Sequence, residues 1–389
     1  MILMQTNSSS AELTIGERVA MLRGMFNPGL FKSTVRPMLY RKSNDDPELV
    51  HELTMKLMAQ NESSLKMVSI LFGHRRGLRI NINGKDVIPF GTAAGLDKNG
   101  DAMKSLSNFF GFLEPGTVVV NPREGNKRPR VAFDSDGLDV YNAQGFPSKG
   151  LEYFKERIIA YRRSNYKAPV YVSICGLPIS EQNAVDVAMD ELTTLLKSLN
   201  QYVDGFVWNC FSPNTSALKM LRTPEIFEQS ASLMKQHAPD KLRLVKLGPY
   251  EEAEKDASMS LIRKFMDGGG HGVVTTNTKM VPKEQVPAPD WGYPSAGRSG
   301  KFLKPYRLRS VSEIRAAFPD SVIVATGGIY DGDDAYETFK AGADMLEGYT
   351  PYGFYGIGLL RNIEKGVVAR LKQDGYRNLT ELREKRRRA

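Results

Sequence analysis

Short apolar runs alternate with longer segments of helical periodicity from about residue 87 to the C-terminus. Continuous apolar strands separated by helices are typical of a parallel sheet that is buried on both faces. Eight such units in roughly 260 residues favour an α/β fold of the closed (β/α)8 or TIM-barrel type. An open doubly wound sheet is the alternative, because a number of runs does not prove closure. The predicted strands cover residues 87–95, 116–121, 169–175, 204–210, 243–248, 271–277, 322–328 and 344–350.

An N-terminal helical extension is predicted ahead of the barrel. Residues 28–41 place apolar side chains among lysines and arginines at helical spacing. Asp46 followed by Pro47 is typical of an N-cap and a first helical residue, which starts a second helix, and a third is expected at 65–72. Packing of the apolar stripes against the barrel is the commoner arrangement; the flanking basic residues favour a membrane interface instead.

A β-hairpin is expected between these helices and the barrel, because Asn83-Gly84 is typical of a tight hairpin turn. The chain is accordingly divided into two parts. Residues 1–75 are predicted to form the helical segment and residues 76–389 the barrel domain.

Composition excludes several protein classes. The chain is 41% hydrophobic and has no stretch of about 18 uncharged apolar residues, so no membrane-spanning helix is predicted. Its first residues lack the basic start and apolar run of a secretory signal, which predicts a cytosolic protein. The two cysteines, Cys175 and Cys210, and four scattered histidines offer neither a disulfide framework nor metal-ligand spacing. No metal site is therefore predicted.

The net charge of +9 is partly concentrated in a basic run at residues 383–388. A solvated, frayed tail is the expected state of this run, and contact with an anionic membrane surface is the alternative. Nucleic-acid binding is not predicted, because aromatic residues do not interleave with the basic ones.

Polar residues follow the predicted strands at the end where a βα barrel carries its active site. Lys98 follows the first strand, Asn209 and Ser212 the fourth, and Asn277 the sixth. Each is compatible with an ordinary turn, but their convergence on one rim favours a site. The segment TGGI, ahead of a predicted helix, offers glycine amides to an anion such as a phosphate, and a plain glycine-rich turn is the alternative.

Seven motifs resemble those of dihydroorotate dehydrogenases of the membrane-associated class. They are GTAAGLDKNG, GTVVVNPREGNKRPR, NCFSPNT, VTTNT, AGRSGK, ATGGI and EGYT, in the same order and with similar spacing. The resemblance runs from about Asp46 to the C-terminus. TGGI alone is weak evidence, whereas AGLDKNG together with SPNT and TNT is specific.

The resemblance implies FMN-dependent oxidation of dihydroorotate to orotate in pyrimidine biosynthesis. Ser212 corresponds to the catalytic base, and Thr215 and Phe146 to a proton path that runs through a water. The substrate positions of the family correspond to Lys98, Asn142, Asn209, Asn214, Asn277 and Thr278. The FMN positions correspond to Ala93, Ala94, Gly95, Thr117, Ser173, Asn209, Lys246, Thr276, Gly300, Gly327, Gly328, Tyr349 and Thr350.

The resemblance also implies that the helical segment gives a membrane quinone access to the site. His51 matches a histidine that lines this passage, and a structural histidine is the alternative. Phe133 stands where the family commonly has an arginine that contacts the quinone, and Phe211 stands where a serine usually precedes the base. A peripheral enzyme on the cytoplasmic side of the cell membrane is expected. The sequence leaves its oligomeric state open, and a monomer is favoured.

Two other functions stay open on the sequence. One is a related flavin barrel that acts on another dihydropyrimidine or uses an acceptor other than quinone, which Phe133 and Phe211 keep under consideration. The other is a catalytically silent, membrane-associated protein that retains the fold. The presence of Ser212 and Lys98 argues against this second reading.

Overall fold

The N-terminal part of the chain is helical. The structure is a computed structural model that describes residues 14–24, 27–70, 77–166, 168–178, 180–212 and 215–388. The helices ahead of the barrel are α1 (Ile15–Gly24), α2 (Pro28–Leu30), a π-helical segment (Phe31–Val35), α3 (Arg36–Lys42), α4 (Pro47–Gln60) and α5 (Glu62–Ser69).

The predicted start of α4 is confirmed, because the Asp46 carboxylate accepts hydrogen bonds from the backbone N–H groups of Glu48 and Leu49. The run 28–41 is helical throughout, with a π-helical middle. The third predicted helix begins earlier than expected, and its predicted end at residues 71–72 lies outside the described residues. Helix α1 was not predicted from the sequence.

Fourteen strands follow within the described part of the chain, and the first two form the predicted hairpin, with Asn83 and Gly84 both at positive φ. They are β1 (Ile80–Ile82), β2 (Lys85–Val87), β3 (Phe90–Thr92), β4 (Phe112–Leu113), β5 (Val131–Asp134), β6 (Asp139–Asn142), β7 (Tyr171–Ile174), β8 (Gly205–Trp208), β9 (Leu242–Leu247), β10 (Gly272–Thr275), β11 (Lys279–Pro282), β12 (Ser295–Gly300), β13 (Val322–Thr326) and β14 (Met345–Gly348).

Helices separate most of these strands. They are α6 (Met103–Leu106), α7 (Gly150–Arg162), α8 (Ala184–Leu199), α9 (Pro224–His237), α10 (Lys255–Asp267), α11 (Lys304–Ala317), α12 (Gly332–Ala341), α13 (Thr350–Tyr355), α14 (Leu359–Gln373) and α15 (Leu379–Arg388).

Eight parallel strands form the predicted barrel, in the order β4-β3-β14-β13-β10-β9-β8-β7. A parallel bridge between Leu113 and Val170 joins the two end strands. The second strand was predicted too late in the chain, at 116–121. Pro115 has no N–H to donate and Gly116 has φ +116°, so β4 ends early, and the predicted run keeps only an isolated bridge at Val118.

A second sheet, which the sequence did not predict, lies among the loops after the barrel strands. It is antiparallel with the order β11-β12-β6-β5. Because β5 and β6 follow β4 in the chain, and β11 and β12 follow β10, this sheet belongs to the end of the barrel where the strands terminate. It contributes Asn142 and Gly300 to the site described below.

The C-terminal basic run is not a frayed tail, so that expectation was wrong. It forms α15, and two of its arginines bind Asp344, which follows α12 and is almost fully buried. The Asp344 Oδ1 lies 2.8 Å from Arg383 and 3.5 Å from Arg386, while Oδ2 lies 2.7 Å from Arg315. A buried carboxylate needs such partners. Through Asp344, the two arginines of α15 hold the last helix against the barrel, and Arg315 of α11 completes the ion pairs.

Candidate active site

A cleft with about 1190 Å³ of empty space, part of it open to solvent, lies over the carboxyl ends of the barrel strands. Eighteen of the residues predicted for the site line it together. They are Ala93, Ala94, Gly95, Lys98, Thr117, Asn142, Phe146, Asn209, Ser212, Lys246, Thr276, Asn277, Thr278, Gly300, Gly327, Gly328, Tyr349 and Thr350.

Three other predicted residues lie elsewhere or are not described. Ser173 is fully buried, and its hydroxyl shares a 3.0 Å hydrogen bond with that of Thr117, so it stands behind the cleft surface. Thr215 is not among the lining residues; it precedes the 3-10 turn Ser216–Leu221. Asn214 lies outside the described residues.

Hydrogen bonds to other side chains and to the backbone fix the amide groups of the cleft. The Asn209 amide donates to Thr117 Oγ1 at 2.9 Å, and the Asn277 amide donates to Asn209 Oδ1 at 3.2 Å. The Asn142 amide donates to the Gly297 carbonyl at 3.1 Å. These bonds fix the orientation of the amides, which suits recognition of a planar ligand with amide-like edges.

A buried charge cluster forms the base of the cleft. The Lys246 Nζ, on β9, lies 3.0 Å from Glu114 Oε1 and 3.1 Å from Glu347 Oε1, and all three side chains are at most 5% exposed. Burial opposes the charge of Lys246, but the two carboxylates outweigh it and raise the lysine pKa. Lys246 is therefore held as an ammonium group.

Lys98 lies at the side of the cleft nearest the N-terminal helices. Burial lowers the pKa of Lys98, against the attraction of the Glu48 and Glu52 carboxylates. Glu48, on α4, makes a two-pronged ion pair with Arg130, with distances of 3.0 Å and 2.8 Å, and both side chains are buried. An anion bound in the cleft would compensate the Lys98 charge.

The Ser212 segment is held from behind by Arg222. The guanidinium donates to the Cys210 carbonyl at 3.2 Å and to the Ser212 carbonyl at 3.4 Å, and it stacks 4.6 Å from the ring centroid of Phe211. Phe211 thus packs on Arg222 instead of entering the cleft. Arg222 fixes the backbone from which the Ser212 hydroxyl projects.

Glycines form the rim after β12 and β13. Gly300 and Gly328 both have positive φ, and a Cβ at Gly328 would lie 2.8 Å from the Gly300 carbonyl, so the two loops approach more closely than other residues allow. Among the described residues, no hydrogen bond uses the backbone N–H groups of Gly328, Tyr349 or Thr350. Free amides on one rim are suited to an anionic group.

A second cavity, with about 820 Å³ of empty space that is partly open to solvent, lies between the N-terminal helices and the barrel. Its lining is mostly apolar and includes Phe31 and Leu39 from the predicted amphipathic stripe, so this stripe packs against the barrel and also encloses a cavity. His51 and Phe133 both line it, as does Tyr349, which also lines the cleft. The two cavities therefore meet at Tyr349.

One cationic side chain reaches the position of Phe133 from α3. The Arg36 guanidinium lies 5.5 Å from the ring centroid of Phe133, 4.7 Å from that of Tyr40 and 5.0 Å from that of Phe354. Its Nε–H is buried, with no acceptor in the described part of the chain. The apolar cavity is thus lined by a guanidinium group that aromatic rings stabilise.

Sequence reasoning missed Glu347, Arg222 and Arg36. A glutamate inside the apolar run DMLEGYT was a usable signal, because a charge in a strand buried on both faces needs a partner. Arg222 and Arg36 gave no such signal, since the groups they contact are brought together only by the fold.

A closed parallel barrel with a polar cleft over its strand ends and a glycine rim after the seventh strand has the architecture of a (β/α)8-barrel enzyme that binds an anionic ligand. A family model described as Dihydroorotate dehydrogenase matches residues 78–371. The chain belongs to the dihydroorotate dehydrogenase family.

Relatives named dihydroorotate dehydrogenase (quinone) align over most of the chain. The protein from Helicobacter acinonychis is 30% identical over 346 residues, covering 87% of this chain and 95% of the relative. That from Deinococcus radiodurans is 29% identical over 381 residues, covering 90% and 98%. The fold is similar to that of DHODH from Eimeria tenella in complex with ferulenol, with a TM-score of 0.75, 24% identity, and coverage of 90% of this chain and 97% of the other.

Membership of this family implies a flavin cofactor. The residues of the cleft are chemically suited to one. The glycine rim offers unpaired backbone amides to a phosphate, and Lys246 offers a buried ammonium group to the electron-rich end of a ring system.

Proposed function

We propose that the protein oxidises dihydroorotate to orotate in pyrimidine biosynthesis, with FMN as its cofactor and a membrane quinone as electron acceptor. The observation that carries this proposal is the junction of two unlike cavities at Tyr349. A cleft lined by amides and a lysine suits a planar anion, and an apolar cavity suits a quinone ring. An enzyme with these two substrates needs both.

FMN is assigned to the cleft. The amides of Gly328 and Thr350, with the Gly300 loop, would hold its phosphate, and Lys246 would lie at its pyrimidine end. A flavin held there would supply hydride acceptance from the substrate and electron transfer to the acceptor. FAD is not proposed, since the glycine rim offers a site for one terminal phosphate.

Dihydroorotate is assigned to the part of the cleft beside Ser212. Lys98 would pair with its carboxylate, and Asn142, Asn209 and Asn277 would bind its amide edges, with Asn214 and Thr278 completing the set. The orientation that the hydrogen bonds impose on these amides supports this assignment.

Ser212 is the proposed base, taking a proton at its Oγ from a ring carbon of the substrate. Serine is a weak base in water, so the site must exclude solvent and give the proton an exit. Phe146 lines the cleft, which supports its proposed place along this exit. Thr215 is retained as a proposed relay behind Ser212 instead of as part of the cleft wall.

The apolar cavity is proposed to receive a quinone from the membrane. Its apolar walls and the Arg36 guanidinium suit a ring that carries carbonyl oxygens. His51 is proposed to face the same ring. Burial, together with the positive charge of Lys98, lowers the His51 pKa to about 3, which keeps it neutral and suited to this apolar setting.

Peripheral membrane association is proposed through the N-terminal helices, on the cytoplasmic side and with a monomeric enzyme. Met67 on α5 and Ile70, which directly follows α5, are 71% and 75% exposed, beside the exposed Lys66. Apolar and basic side chains together favour a lipid interface. No helix in the described ranges is both long and apolar enough to cross a bilayer.

An acceptor panel tests the proposal. The flavin released on denaturation would be identified, and dihydroorotate oxidation would be followed with a short-chain ubiquinone, menadione, fumarate, NAD and oxygen in turn. Release of FMN and turnover with the quinones at least tenfold above the other acceptors are expected. Fumarate or NAD as the fastest acceptor would instead support a related flavin barrel with a soluble partner, and a flavin-free, inactive protein would support the silent fold.

A further inference from the structure

The Lys246 cluster contains two carboxylates for one ammonium group. Glu347 lies on β14, Glu114 follows β4, and Lys246 lies on β9 between their carboxyl groups. If both glutamates were ionised, the base of the cleft would carry an uncompensated negative charge with almost no access to water. Burial makes such a charge strongly unfavourable, and two carboxylates that share one site do not ionise together.

The hydrogen bonds of Glu347 set it apart from Glu114 in this cluster. Glu347 uses Oε1 to accept from Lys246, whereas its buried Oε2 has no hydrogen-bond partner within the described residues. The strands paired with β14 are β3 and β13, and neither carries an ionisable side chain. The charged groups that act on Glu347 are thus Glu114 and Lys246.

Electrostatics agree with this geometry. Burial raises the Glu347 pKa well above its ordinary value, and the negative charge of Glu114 raises it further, while Lys246 opposes both. Because Glu347 also lines the cleft, any change in its charge acts on whatever the cleft binds.

We propose that Glu347 carries a proton at neutral pH, so that the cluster has no net charge, and that this proton helps to set the reduction potential of the bound flavin. The inference rests on the proposed flavin site. Loss of the proton would place a net negative charge beside a ring system that becomes more negative on reduction. Deprotonated Glu347 would therefore disfavour the reduced cofactor.

The first test compares wild type with Glu347→Gln, which mimics a protonated glutamate. Redox titration of the holoenzyme with dithionite and dyes would be run from pH 6 to pH 9.5. The two potentials should coincide near pH 6. In the pH range where Glu347 loses its proton, the equilibrium constant for flavin reduction should fall up to tenfold more per pH unit in the wild type than in the variant. This difference corresponds to about 30 mV in the reduction potential of a two-electron couple.

Infrared spectroscopy reports the proton directly, whatever the pH at which it leaves. The wild type should show, at neutral pH, the carbonyl band of a protonated, buried carboxylic acid that Glu347→Gln lacks, and the wild-type-minus-variant difference separates this band from that of Asp97, whose pKa burial raises to about 7. Glu114→Gln leaves Glu347 as the sole partner of Lys246, so the band should vanish there too. This variant carries the test if Glu347→Gln does not fold.

A wild type without this band, or a Glu347→Gln potential already higher at pH 6, would overturn the proposal. These readouts do not use dihydroorotate. A protein that holds flavin but is not reduced by dihydroorotate would contradict the proposed function while leaving the Glu347 proposal to stand or fall on the potentials and the band. A protein without flavin would contradict both the proposed function and the role in the potential.

Discussion

The rings of His51 and Tyr349 lie with their centroids 5.3 Å apart, where the polar cleft and the apolar cavity meet. His51 comes from α4 of the N-terminal segment, and Tyr349 comes directly after the last barrel strand. The contact therefore joins the two parts of the chain at the point that electrons must cross in the proposed reaction. The helical segment completes the site in addition to packing on the barrel.

Replacing Ser212 by alanine should slow flavin reduction by dihydroorotate about 10²- to 10⁴-fold at neutral pH, because the proposed base is lost while the flavin contacts remain. Stopped-flow absorbance at the flavin band measures this rate. Ser216→Ala, an exposed serine in the following turn, is the matched control. Reduction of Ser212→Ala at the wild-type rate would remove Ser212 as the base.

Arg36→Gln should raise the KM for quinone about tenfold, because a charged hydrogen-bond donor is lost from the apolar cavity. It should leave the rate of flavin reduction by dihydroorotate unchanged, because the cleft keeps all its residues. Steady-state kinetics with varied quinone give the KM, and rapid mixing gives the reduction rate. Arg41→Gln, at an exposed arginine on the same helix, should change neither. Equal KM values for Arg36→Gln and wild type would exclude Arg36 from the acceptor site.

Stability in mild acid should depend on His51. Its folded pKa of about 3 lies below the ordinary value near 6.5, so the unfolded chain binds an extra proton between these values. This difference in proton binding has no effect on stability above pH 6.5, and it destabilises the folded state as the pH falls below that value. The stability of His51→Gln relative to wild type should therefore rise by about 1 to 2 kcal/mol between pH 7 and pH 5. Urea midpoints at both pH values measure the difference, and a constant gap would mean that His51 titrates normally.

Asp344→Asn should lower the free energy of unfolding by about 3 kcal/mol, because the buried Arg315 and Arg383 and the half-buried Arg386 lose their shared carboxylate. Chemical denaturation followed by circular dichroism measures the loss. Asp86→Asn, which disrupts an exposed pair with Arg79, should cost less than about 1 kcal/mol. Similar losses in the two variants would mean that the Asp344 cluster does not secure α15.

Replacing Met67 and Ile70 together by glutamate should weaken binding to vesicles that contain anionic phospholipid and leave flavin reduction by dihydroorotate unchanged. Vesicle flotation measures the bound fraction. Val187→Glu combined with Val368→Glu changes two exposed valines elsewhere and is the matched control. Undiminished binding of the variant with glutamate at both Met67 and Ile70 would place the membrane contact on another surface.

The barrel was predictable because each of its strands is buried on both faces and so appears as a continuous apolar run. The short strands β5 and β6 were not, since both mix polar with apolar residues and β5 is only partly buried. β4 was misplaced because the stronger apolar run VVV follows Pro115 and Gly116, which interrupt the strand.

The cleft was predictable because strand ends in a parallel barrel converge, so residues such as Lys98, Asn209 and Asn277 meet without further information. The contacts that depend on the surroundings were not. Glu347 and Lys246 face each other only once β9 and β14 enter one ring, and Arg36 reaches Phe133 only because α3 packs beside β5. The basic tail was misread because its partner, Asp344, precedes the last strand of the barrel.

The central claim is that one protein takes electrons from dihydroorotate in the cleft and delivers them to a quinone through the apolar cavity. Anaerobic absorbance of the purified protein tests it most directly, first with dihydroorotate and then with a quinone. Dihydroorotate should bleach the flavin band, and quinone should restore it. A flavin band that dihydroorotate leaves unchanged would contradict the substrate assignment, and a bleached band that quinone does not restore would contradict the acceptor.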